Sequence, residues 1–166
     1  MDFIFGVTIF LLILILSMKF LSENSTGYEE NNDDFFEEIN KFSQSLMGTG
    51  IPVNWTEEHV TSIGLINEDN SINISKIGYF GNLSKEDYTN VRDITNIKSE
   101  FLVYFENKTG NLLNFSGFTY IGPSDTTLQN VSDSGYENVA SIARYVIYRH
   151  DGIAEIISMK VVIWRD

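Results

Sequence analysis

The sequence predicts an α+β protein: an N-terminal hydrophobic helix expected to be transmembrane, an amphipathic helix, then a mainly antiparallel β-sheet domain. Three observations predict this. Residues 3–18 read FIFGVTIFLLILILSM without a single charge. Residues 33–47 carry apolar side chains at helical spacing, and from residue 99 onward apolar runs of strand length alternate with turn-forming residues. The expected divisions are a hydrophobic helix at 1–21, a polar spacer at 22–32 and an α+β domain at 33–166.

The leading segment is the strongest signal. Sixteen residues rising 1.5 Å each give about 24 Å, short of the ~30 Å hydrocarbon core of a bilayer. Phe20 and Leu21 extend the apolar stretch if Lys19 snorkels its ammonium outward, which brings the length to roughly 28 Å. A cleaved signal would want a basic start and a small-x-small cut site. Asp2 stands at the start and MKFLSE at the exit, so the segment is expected to stay on the mature chain. Phe3, Ile4, Phe5, Gly6, Val7, Ile9, Phe10, Leu11, Leu12, Ile13, Leu14, Ile15 and Leu16 are its candidate membrane and assembly residues.

The spacer SENSTGYEENN has no apolar period and reads as a loop or a frayed helix extension. Phe35, Phe36, Ile39, Phe42, Leu46 and Met47 then mark a helix, with Asp33, Asp34, Glu37 and Glu38 near its start where the dipole favours acids. Gly48, Gly50 and Pro52 end it. Short strands are expected at 60–66 and 71–74, with a turn at 67–70 between them. Ser84 to Asp87 resembles a capping box opening a helix over 85–96. Residues 99–106 and 112–121 flank the turn Asn107–Gly110 as a hairpin, and 122–134 reads as a loop. Residues 139–149 and 153–165 flank an Asp151-Gly152 pair suited to a tight turn. In the last strand Ile157, Met159, Val161 and Ile163 alternate with Ser158, Lys160, Val162 and Trp164, which gives it one apolar face.

Chemistry is sparse. The chain has 11 Lys+Arg against 23 Asp+Glu, a net charge of −12, which repels phosphate backbones and speaks against nucleic-acid binding. Cysteine is absent, so disulfides, thiolate nucleophiles and zinc–thiolate sites are excluded. His59 beside Glu57 and Glu58 has no second histidine at helical spacing, and His150 sits at a turn. The stretch Asn67–Ser71 carries oxygen ligands without the alternation of a calcium loop, and Asp125 and Asp133 have no ligand spacing. Neither a G-x-S-x-G nucleophile motif nor a glycine-rich phosphate loop occurs. No catalytic residue, metal or cofactor is assigned, and a non-enzymatic role is expected. The aromatic residues Tyr28, Tyr79, Phe80, Tyr120, Tyr136, Tyr145, Tyr148 and Trp164 read as core and cross-strand pairs before they read as a binding face.

N-x-[ST] acceptors occur at Asn24, Asn54, Asn73, Asn82, Asn107, Asn114 and Asn130, where chance would supply about two or three. They are candidate N-glycosylation sites and place the sheet domain outside a cell membrane crossed once.

The layout as a whole resembles the type IV pilin superfamily, above all archaeal pilin-like proteins. The opening Asp2–Val7 (DFIFGV) is similar to the start of the hydrophobic helix in those proteins. Gly50–Trp55 (GIPVNW), Ile63–Leu65 (IGL) and Ile72–Lys76 (INISK) are similar to a pattern recurring in archaeal proteins of this layout. Two departures stand: no basic and small pair precedes Met1 as in a prepilin leader, and Phe5 occupies the place where bacterial members keep a glutamate. The resemblance implies a filament subunit or minor pilin that assembles with itself or with other pilin-like subunits through its N-terminal helix. The competing expectations are a single-pass extracellular binding glycoprotein that does not polymerise, and a metal-assisted hydrolase using His59 and its neighbouring acids.

Overall fold

A computed structural model describes residues 2–136 and 138–165; within that range the side chains of 2–5, 8, 9, 12 and 20–32 are not described. The chain forms two compact units, Met1–Glu37 and Glu38–Asp166.

Helix α1 (Asp2–Leu46) runs for 45 residues. The polar stretch 22–32 is therefore helical backbone, not a loop, and the amphipathic helix expected from residue 33 is the last part of α1. Helix propagation is cheap once a nucleus exists, so the helix carries through the one glycine of the stretch, Gly27, at about 1 kcal/mol relative to Ala, and Glu, Asn and Ser cost less. Among the described residues no helix is long and apolar enough to cross a membrane. This corrects the transmembrane helix expected over 1–21, and with it the single-pass cell-membrane placement built on that span. The physical reason is length. The uncharged run stops at Lys19 after about 24 Å, short of the ~30 Å hydrocarbon core.

The second unit contains an antiparallel sheet. Its strands are β1 (Glu100–Glu106), β2 (Leu112–Leu113), β3 (Tyr120–Ile121), β4 (Asn138–His150) and β5 (Ile153–Arg165). The order is β2-β1-β5-β4, with β3 also pairing β1. The expected Asp-Gly turn joins β4 to β5. Asp151 and Gly152 both have positive φ, 48° and 78°, the conformation of a turn whose twist matches the flanking strands. Strand β5, the last, is central, and its register opposite β1 sets Phe101 against Ile163, Val103 against Val161 and Phe105 against Met159.

That face is the main core. The Phe42 ring from α1 lies 4.9 Å from Phe101, and Phe80 stacks on the same ring at 5.9 Å. Ile39, Leu46, Ile77, Ile157, Met159, Val161 and Ile163 are all buried. The opposite face is covered at one end. There Leu102, Tyr104, Val162 and Trp164 pack with Val131 of helix α4 (Leu128–Asp133), and Tyr120 and Tyr136 lie against them. Helix α4 falls within the expected loop 122–134, where its six residues are too few for a periodic signal.

Helix α2 (Ile74–Glu86) and helix α3 (Tyr88–Thr95) complete the unit. Helix α2 was not expected, because Gly78 and Gly81 argue against a helix on propensity. Packing accounts for both: a Cβ on Gly81 would collide with the Phe118 ring at 2.5 Å, and one on Gly78 would be tight against the Ser116 side chain at 3.0 Å. The capping box also differs. Ser84 belongs to α2 and donates its hydroxyl to the Gly122 carbonyl at 3.0 Å, whereas Asp87 caps α3 by accepting from the Asn90 N–H. The strand expected at 60–66 is reduced to isolated antiparallel bridges, Ser62 with Ile51 and Ile66 with Ile72, and is buried from Ile63 to Ile66. Gly64 passes so close to Gly48 and Gly50 that any Cβ would collide with their backbone, and the Leu65 and Ile66 amides bond to the Leu46 and Gly48 carbonyls.

Candidate functional site

The candidate site is the apolar start of α1. Val7, Phe10, Leu11, Ile13, Leu14, Ile15, Leu16 and Met18 are 41 to 66% exposed. At 3.6 residues per turn, Ile13 to Leu16 alone complete a turn, so the helix has no polar side there. Gly6 is exposed as well, and no atom would meet a Cβ built on it. The side chains of Phe3, Ile4, Phe5, Ile9 and Leu12 lie outside the described residues. Contiguous exposed apolar surface of this kind marks an interaction site in a folded protein. Chemically it can do one thing, which is to associate with other apolar surface.

The sequons sort by the work their amides already do. Asn24 lies outside the described side chains. Asn73 is the N-cap of α2. Its carbonyl oxygen accepts from the Lys76 N–H at 3.0 Å and its amide donates to Asn67 at 2.7 Å, so both ends are engaged. Asn82 donates to Glu57 at 2.6 Å, Asn114 donates to the Thr119 hydroxyl, and Asn130 donates to the Asp125 carbonyl. The Asn107 side-chain oxygen accepts from the Thr109 amide and hydroxyl and from the Asn111 amide. Asn54 is exposed.

The groups weighed for catalysis do not converge. His59 is exposed, and its backbone pairs with Thr56. His150 meets Asp151 at 2.9 Å and stacks on Tyr148, at the tip of the hairpin. Among the described residues no group of three or more His, Asp or Glu side chains could hold a metal ion. Asp69 accepts from the Ser71 amide and hydroxyl and faces Arg149 at 3.3 Å, which holds its carboxyl below the usual range and closes the turn it sits in. Of the aromatic residues weighed as a contact face, Phe80 and Trp164 are core, and Tyr79 packs edge-on to Trp55. Tyr120, Tyr136 and Tyr148 also stack or pack edge-on against other rings, and Tyr28 lies outside the described side chains. Tyr145 alone of them is widely exposed.

Sequence reading missed the roles of two charges, one buried and one half-buried, because neither has a motif. Lys76, in the first turn of α2, is 5% exposed and donates to the Thr49 carbonyl at 2.7 Å. Burial pushes its pKa down, partly offset by Glu68. Glu38 accepts from the Lys98 and Ser99 amides, the Ser99 hydroxyl and Arg165. Burial raises its pKa, but those donors outweigh burial and hold it below the ordinary value. Each ties distant loops together, and neither faces a second reactive group.

No family model, no curated protein and no solved structure matches this chain.

Proposed function

We propose that this protein is a non-enzymatic assembly subunit of the pilin-like kind, joined to copies of itself or to similar subunits by burial of the apolar start of α1. One observation carries the reading: Ile13 to Leu16, with Phe10, Leu11 and Met18, are exposed on every side of a helix. Fully burying such a side chain is worth about 1.5–3 kcal/mol relative to leaving it in water. Helices of like composition offer each other that burial through side-chain interdigitation. The sheet unit has its own core, so assembly through α1 asks nothing of its interior. The scattered placement of His59, His150 and the acidic side chains supports the non-enzymatic part.

Sedimentation velocity and negative-stain electron microscopy of the native full chain test this. Oligomers or filaments are expected, and Ile13→Asp with Leu16→Asp is expected to disperse them while circular dichroism still shows the folded sheet. A native chain that stays monomeric in detergent-free buffer at high concentration would refute the reading.

A further inference from the structure

We propose that β4 is a self-pairing edge, through which two copies of this chain join antiparallel about a two-fold axis at Ile142. This goes beyond assembly through α1 and uses none of its residues.

Strand β4 is the outermost strand, 13 residues long, and it pairs with β5 one residue to one from Asn138↔Arg165 to His150↔Ile153. The register contains no bulge. Its outer edge is engaged at Ile147, whose carbonyl accepts from the Ile72 N–H at 2.8 Å. That bond shows which amides turn away from β5. Since backbone groups alternate along a strand, Val139, Ser141, Ala143 and Tyr145 present N–H and C=O on the same side. Among the described residues no backbone bond reaches these four from outside the hairpin.

Sheet edges are normally guarded by lysine, proline, a bulge or shortness. Over 139–145 strand β4 has no lysine, proline or bulge; of the further devices, a charge turned inward and a covering loop, it has Arg144, which is paired on the core side, and a loop contact that falls at Ile147, outside that stretch. Its charge nearest the open stretch, Arg144, turns to the core side and donates to Ser43 at 3.1 Å and Asn40 at 3.2 Å.

The placement of the exposed side chains selects a second copy as the occupant. Val139 is 49% exposed and Tyr145 is 73% exposed, and each lies three residues from Ile142. A two-fold axis there sets Val139 opposite Tyr145 of the second copy at both ends, and Ser141 opposite Ala143 between them. Directly opposed side chains have Cβ atoms about 4.5–5.5 Å apart, so each exposed apolar group covers the other. Arg144 falls opposite Ala140, and no like charges meet although the chain carries −12.

The test uses the full chain, with amide hydrogen exchange and sedimentation equilibrium over a concentration series. The amides of Val139, Ser141, Ala143 and Tyr145 are expected to gain about tenfold or more protection as copies associate. The V139K/Y145K variant sets lysine against lysine twice and is expected to weaken this pairing about tenfold. The V139K/Y145E variant sets lysine against glutamate twice and is expected to restore it. Within one chain the two positions are about 20 Å apart along the strand, so that rescue has no intramolecular route. The proposal is overturned if these amides exchange equally fast at every concentration, or if V139K/Y145E pairs no better than V139K/Y145K. Association through α1 would persist in both cases, so the two readings fail separately.

Discussion

The start of α1 and the strand β5 both draw on Ile, Val and Met for their apolar side chains, and those side chains meet opposite surroundings. Ile157, Met159, Val161 and Ile163 are essentially inaccessible, whereas Ile13, Ile15, Leu16 and Met18 are more than half exposed. Composition does not separate them. Strand β5 alternates its sides and has β1 and β4 as neighbours, so burying its apolar face completes a core. Residues 13–16 of α1 are apolar on every side, and a helix of that kind is satisfied only by apolar surroundings. One region stabilises the fold; the other is surface available for association.

Substitutions at matched residues sharpen that contrast. Phe101→Ala removes the ring against which Phe42, Phe80 and Tyr88 pack. It is expected to lower unfolding stability by about 3–5 kcal/mol in urea titration. Ile13→Ala, a comparable truncation on exposed α1, is expected to leave the unfolding of the sheet unit within about 0.5 kcal/mol of wild type. A loss of several kcal/mol there would erase the distinction.

The charges inside the sheet unit give smaller effects. Glu38→Gln keeps the shape but gives up charge-assisted hydrogen bonds to Ser99, Lys98 and Arg165, and a loss of about 2 kcal/mol is expected at neutral pH. Because the folded carboxyl lies below its ordinary value of 4.5, the stability it contributes is present above that value. It is lost as pH falls through the folded pKa. The gap between wild type and Glu38→Gln should therefore close in acid denaturant titrations. Asn73→Ala removes the N-cap of α2 and is expected to cost about 1 kcal/mol, read as a fall in melting temperature. Lys76 gives the same direction with pH as Glu38, but in the alkaline range and because burial disfavours its charged form. Its folded pKa lies below 10.5, so the unfolded chain binds more protons and stability rises as pH climbs towards that value. Relative to Lys76→Met, wild type should gain stability between neutral and alkaline pH, the smallest of these effects.

Much of the sheet was legible in sequence because it follows local rules. The period-2 pattern of 153–165 and the Asp151-Gly152 pair fix a hairpin with little help from elsewhere, and 99–106 reads as the strand it is. Helix α2 was not legible, since Gly78 and Gly81 are explained by the approach of Phe118 and Ser116 from residues far along the chain. The segment 60–66 was misread for a related reason. Ile63, Leu65 and Ile66 are buried, but with Gly64 threading past Gly48 and Gly50 the pairing is reduced to isolated bridges, Ser62 with Ile51 and Ile66 with Ile72, instead of a continuous strand. In the candidate site the apolar run was plain. Its reading as a span depended on counting across Lys19, and among the described residues no helix has the length and apolarity required.

The sequence by itself determined where apolar side chains would cluster, that α1 would be helical at both of its apolar stretches, and that the chain would close on an antiparallel hairpin. Each of these follows from periodicity and turn chemistry within a few residues. Tertiary structure alone decided that β5 lies between β1 and β4, that Glu38 is held by Ser99 and Arg165, and that β4 is the outermost strand. Those outcomes depend on which backbone amides and side chains distant segments bring together, and no local pattern encodes that.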